Sequence, residues 1–194
     1  MTDTAITESK VPSKVQSKVV VEPDEFKFVK YDPDEIADVA ADLADRIGLV
    51  NPIRIVVDET TPMARMASTV EGTSSDALIT IHVESGALED TKRFTNFNRH
   101  HAEVSLGRML LRAHDRLRPD FADAPDDDSL SLRQEAAWNT SLNGRLERLG
   151  VDINRQRWLY NHRNRFGFTD EVDADFERLW SADDLSWSAI DPDA

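Results

Sequence analysis

N-R-H-H-A-E-V-S-L-G-R-M-L-L-R-A-H-D-R-L, running from Asn98 to Leu117, decides how this chain is read. At about 100° per residue, Ala102, Leu106, Met109, Leu110, Ala113 and Leu117 fall on one broad helical face. That face belongs to a core. Val104 and Leu111 extend it beyond a strip made of His100, Glu103 and Gly107. His101, Ser105, Arg108, Arg112, Asp115 and Arg116 fall on the other side, which the pattern assigns to solvent. Gly107 costs about 1 kcal/mol relative to alanine inside a helix, so it predicts the close approach of a neighbouring helix or a ligand. The stretch also holds three of the five histidines.

Upstream, D-P-D-E at Asp32–Glu35 is a strong helix start: a capping aspartate, a proline at the first helical position and a glutamate completing a capping-box pattern. Ile36, Val39, Ala40, Leu43 and Ile47 recur at helical spacing until Gly48 stops them. Pro52–Glu59 and Ala77–Val83 read as strands, Met63–Val70 as a weaker one and Phe26–Tyr31 as a short edge strand. In the Ala77–Val83 strand, alternation puts His82 on the same face as Thr80. Ser85–Asn98 reads as an irregular polar covering loop. Residues 1–24 are rich in Ser, Thr, Lys and Val, with Lys10, Lys14 and Lys18 four apart, and are expected to form a disordered arm. Residues 25–194 then make one domain.

Downstream, Pro119–Asp128 is an acidic connection without calcium-loop spacing, expected to be a solvated linker. Ser131 and Gln134 form a second capping-box pattern for a helix ending at Gly150, with Glu135, Trp138, Leu142, Leu146 and Leu149 along one side. Further helices are expected over Ile153–Arg165, after the cap at Thr169, and near Ser181. Helix, two to four strands and then three or four helices do not alternate strand with helix. The fold class is therefore α+β: a small sheet packed with an N-terminal helix and a C-terminal helical set.

A formal net charge of −14, from 37 acidic and 23 basic residues among 194, disfavours nucleic acid and anionic membranes as partners. It suits a protein partner, a basic one in particular. No run approaches the ~18–20 apolar residues of a spanning helix. The N-terminus lacks the basic start and apolar centre of a secretory signal, which leaves a cytoplasmic protein as the expectation. With no cysteine there is no thiol nucleophile, disulfide or cysteine-zinc site. Phosphate-binding glycine loops and the serine-hydrolase elbow are missing too.

Chemistry-bearing residues gather in two places. His100 and Glu103, at i and i+3 on the central helix, are spaced as a metal-ligand pair. His114 lies about 21 Å further along the axis, too far to share an ion. The order of elements from Asp32 to Gly150, with a histidine-rich helix after the sheet and an early glutamate in the next helix, resembles minimal zincin metallopeptidases. In those the first helix carries H-E-x-x-H and a downstream helix gives the third zinc ligand. The resemblance implies a zincin-like layout and a metal set of His100, Glu103 and Glu135, with zinc as cofactor of a hydrolase. The motif itself departs from the family: from His100, His101 stands in place of the base glutamate and Val104 in place of the second histidine.

The second place is N-R-Q-R-W-L-Y-N-H-R-N-R-F-G-F at Asn154–Phe168. It offers Arg155, Arg157, Trp158, His162, Arg163 and Arg165 as candidate binding residues. Nucleic-acid modules mix arginine and aromatics in this way, but pairing of these arginines with the acids of Asp170–Glu177 is the simpler expectation. Together these features predict a non-enzymatic, protein-binding or structural domain without a cofactor, resembling an inactive zincin. The alternatives are a His/Glu/Glu metal hydrolase and a nucleic-acid binder.

Overall fold

The computed structural model describes residues 18–72 and 74–193 of the chain. Its first helix, α1 (Pro33–Ile47), starts as its residues dictate. The Asp32 carboxylate accepts the Asp34 N–H at 2.9 Å, Pro33 takes the first helical position, and Gly48, at φ 85°, ends the helix. Ile36, Val39, Ala40 and Leu43 bury its inner face.

The main sheet has the order β1-β2-β4-β3, built from β1 (Val19–Glu22), β2 (Ile53–Asp58), β3 (Met66–Glu71) and β4 (Leu78–Glu84). β1, β2 and β4 run parallel, and β3 returns antiparallel along the edge. Ile53, Ile55, Val57, Ile79, Ile81 and Val83 all point to the helical side and are buried. A buried side chain of this kind contributes roughly 1.5–3 kcal/mol, so a one-residue slip of register would be prohibitive. The opposite face, with Arg54, Asp58 and His82, stays exposed. After β4 come a 3-10 turn at Ser85–Ala87 and a hairpin of β5 (Glu89–Asp90) and β6 (Arg93–Phe97).

The rest is helical: α2 (Arg99–Arg116), α3 (Leu132–Arg148), α4 (Arg155–Phe166), α5 (Asp170–Ser181) and a last turn, α6 (Trp187–Ile190). The α+β class therefore holds. Ser131 and Gln134 make the reciprocal capping box, and Thr169 caps α5. α3 sits at the centre of the helical layer, against α2, α4 and α5. Two glycines let it do so: a Cβ at Gly107 would stand 2.7 Å from Leu146 Cδ2, and one at Gly144 would stand 2.0 Å from the Trp180 carbonyl oxygen.

Several expectations need correcting. Of the arm expected over residues 1–24, Val19–Glu22 is a strand paired with β2, while residues 1–17, with Lys10 and Lys14, lie outside the described residues. Phe26–Tyr31 is no strand; it makes only an isolated bridge, Lys30 with Asn96. Ser85–Asn98 is an ordered hairpin rather than an irregular loop, its turn held by Asp90 accepting the Lys92 N–H at 2.8 Å. The acidic connection is not a solvated linker: Asp127 folds inward onto α2. Finally, the polar side of α2 does not face solvent. Arg112 is 3% exposed and Asp115 is fully buried, because α3 covers that side.

Candidate functional site

α2 is flanked by the sheet and α1 on one side and by α3 on the other, so its polar residues must find partners inside the protein. Arg112 donates from Nη1 to Asp127 Oδ1 and from Nη2 to Asn139 Oδ1, both at 3.0 Å. Arg116 reaches the same Asp127 oxygen at 3.0 Å, while Asp127 Oδ2 accepts the Ser68 N–H of β3 at 2.7 Å. Both guanidinium groups lie over the Trp138 ring, 5.0 and 4.9 Å from its centroid. The Trp138 indole N–H donates to Asp115 at 3.0 Å, and Arg145 donates to Asp115 at 2.7 Å. Burial raises the pKa of Asp127, but the cations of Arg112 and Arg116 outweigh it and hold the carboxyl below its usual range. This layer is a structural network of ion pairs and hydrogen bonds, in which only Arg112 Nε and Arg116 Nη1 are buried without a hydrogen-bond partner among the described residues.

Arg108, one turn before Arg112, is the exception. It makes no hydrogen bond or ion pair at any nitrogen among the described residues, and its Nε, like that of Arg112, is buried without a partner. Its one close polar-aromatic contact is the Trp158 ring, 5.2 Å from guanidinium carbon to centroid. Burial first, then the neighbouring Arg112 cation, push its pKa down to about 10; Glu135 opposes this and Arg157 adds to it. At neutral pH it is still a cation. An uncompensated charge in such a place is costly, and so it marks a candidate site.

Arg108 lines a recess of about 500 Å³ between α2 and the start of α4. His100, His101, Arg157 and Trp158 line it as well, and Val104, Ala87 and Ile153 give it apolar wall. The His101 Nδ1–H donates to the Glu89 carbonyl at 2.7 Å, which fixes the ring in the lining. Asp152 is the single acid in the lining and pairs with neither arginine.

The structure separates the proposed metal set. His100 is exposed on the recess wall, Glu103 pairs with Arg99 at 3.4 Å, and Glu135 is exposed on the first turn of α3. Glu135 acts on the cations of Arg108 and Arg112. Among the described residues no three His, Asp or Glu side chains form a group able to hold a metal ion.

The Arg/aromatic segment divides. Arg155 pairs with Glu177 and Arg163 with Asp173, as expected of intramolecular partners. His162 is 1% exposed, with Nδ1 at 3.2 Å from Thr140 Oγ1 and Nε2 at 3.5 Å from Asp175. Arg165 remains exposed on α4. Of the candidate binding residues, Arg157 and Trp158 join the recess, beside Asn154. Arg108 was placed with solvent by the single-helix pattern, and the signal that could have found it was its spacing: a second arginine four residues on, with Trp138 and Trp158 downstream to stack on both. Among the described residues no helix is long and apolar enough to cross a membrane. No protein-family model, no curated protein and no solved structure matches this chain.

Proposed function

We propose that this protein is a non-enzymatic, protein-binding or structural domain that resembles a zincin without its metal-binding machinery. One observation carries the reading. Zincin metal histidines stand at i and i+4 on a helix and face a ligand from a downstream helix. Here the i and i+4 positions of α2 counted from His100 hold one histidine and Val104, Glu103 pairs with Arg99, and Glu135 lies exposed on α3. A single imidazole leaves a metal ion short of the ligands such a site needs. The net charge of −14 supports a basic protein surface as the partner.

The test is metal analysis of the full chain purified without chelator, combined with melting before and after chelation. The expected result is a negligible zinc content and an unchanged melting temperature. About one zinc per chain, lost in His100→Ala, would overturn the reading in favour of the zinc-dependent hydrolase.

A further inference from the structure

The recess between α2 and α4 carries a different and independent inference. We propose that it is a binding site for a small organic anion: a carboxylate or phosphate on an apolar body, with the charged group held by Arg108 and Arg157. Arg108 is the strongest reason. It is mostly enclosed, feels Glu135 only through its field, and among the described residues has no ion-paired carboxylate and no hydrogen-bond partner at the recess. A fold that retains such a group without a counter-charge gains stability when a bound anion supplies one.

The surroundings define the ligand. Arg157 stands exposed at the rim with no ion pair among the described residues, and α4 begins beside the recess, its N-terminal pole adding further positive potential. The His101 ring, held in place by its Nδ1–H contact with the Glu89 carbonyl, forms part of the wall. The Trp158 ring, already stacked on Arg108, and the side chains of Val104 and Ile153 supply apolar surface that a bare inorganic ion would leave unused. A volume of about 500 Å³ suits a small molecule. The long-range field of an acidic protein also favours a compact, singly charged ligand over an extended polyanion.

Calorimetric titration of the full chain at low ionic strength tests this with four probes: phenylacetate, phenyl phosphate, neutral phenylacetamide and inorganic phosphate. Saturable binding of one phenylacetate or phenyl phosphate per chain is expected, and the tighter of the two identifies the headgroup. Phenylacetamide and inorganic phosphate should bind at least about tenfold more weakly, the loss of one charge-assisted contact or of the apolar contact. Arg108→Met should weaken the organic anion by at least about tenfold while melting at or above the wild-type temperature. Arg157→Gln at the exposed rim should weaken it without altering the fold, and Arg165→Gln should change nothing. No saturable binding of either organic anion would overturn the proposal. So would equal binding of phenylacetamide, equal binding of inorganic phosphate, or full retention in both Arg108→Met and Arg157→Gln.

Discussion

Replacing Asp127 by alanine is the sharpest test of how the helical layer is joined to the sheet. The carboxylate accepts from Arg112 and Arg116 on α2 and from Ser68 on β3, and its side chain is 5% exposed. Its loss leaves Arg112 in an enclosed site with only Asn139 and the Trp138 ring for company. Removing one partner of a buried pair costs about 3–5 kcal/mol. The contacts Arg112 keeps place the expected cost at the lower end, about 3–4 kcal/mol. With a urea slope of roughly 2 kcal/mol per molar, the unfolding midpoint at pH 7 should fall by about 1.5–2 M.

The double variant Arg112→Met/Asp127→Leu should recover much of that loss, because neither charge then needs a partner. The pH dependence has a fixed sign. The folded pKa of Asp127 is depressed, so its contribution is complete above the ordinary aspartate value of about 3.9 and is lost as pH falls through the lower folded value. The gap between wild type and Asp127→Ala should therefore be constant from about pH 5 to 8 and shrink below about pH 4. A loss under about 1 kcal/mol at pH 7, or strictly additive effects in the double variant, would refute the reasoning.

The two helix-contact glycines should differ sharply. Gly144→Ala drives a methyl into the Trp180 backbone, 2.0 Å from its carbonyl oxygen, so a cost of at least about 3 kcal/mol in denaturant unfolding is expected. Gly107→Ala meets only the movable end of Leu146, at 2.7 Å, and gains up to about 1 kcal/mol of helix propensity, so it should be the milder variant. Ser131→Ala removes the capping box of α3 and should lower stability by about 1 kcal/mol in the same assay. Asp175 is held below the usual carboxylate range first by the His162 ring, 3.5 Å from its carboxylate, and then by its hydrogen bonds with Arg178. Asp175→Asn should thus be less stable than wild type at pH 7, with the difference closing as pH falls below the ordinary aspartate value of about 3.9.

Local chemistry made most elements legible. Asp32, Ser131 with Gln134, and Thr169 each announce a helix start through a side chain that caps free backbone amides. Strands β2 and β4 follow from runs of isoleucine and valine. The β5–β6 hairpin was not legible because its unusual backbone sits at Thr95, φ 63°, where no glycine advertises it. The site failed for another reason. A helical wheel assumes one buried side, whereas α2 is enclosed on two, and charged residues facing α3 look identical in sequence to residues facing water. The strip of His100, Glu103 and Gly107 hinted at a second packing surface, but it could not say that Arg108 would lack a partner while Arg112 had two.

The placement of Asp127 also bears on how copies of this protein avoid one another. Glu84 N–H bonds to the Arg65 carbonyl, so by antiparallel alternation the amide of Ser68 points away from the sheet, along its free border. Such a border is a template on which a strand from another molecule can add. Here a carboxylate from the connecting segment already sits on the middle amide of β3. The same side chain that ties helix to sheet thereby blocks edge-to-edge polymerisation, so losing it should make the protein prone to aggregate in proportion to its concentration.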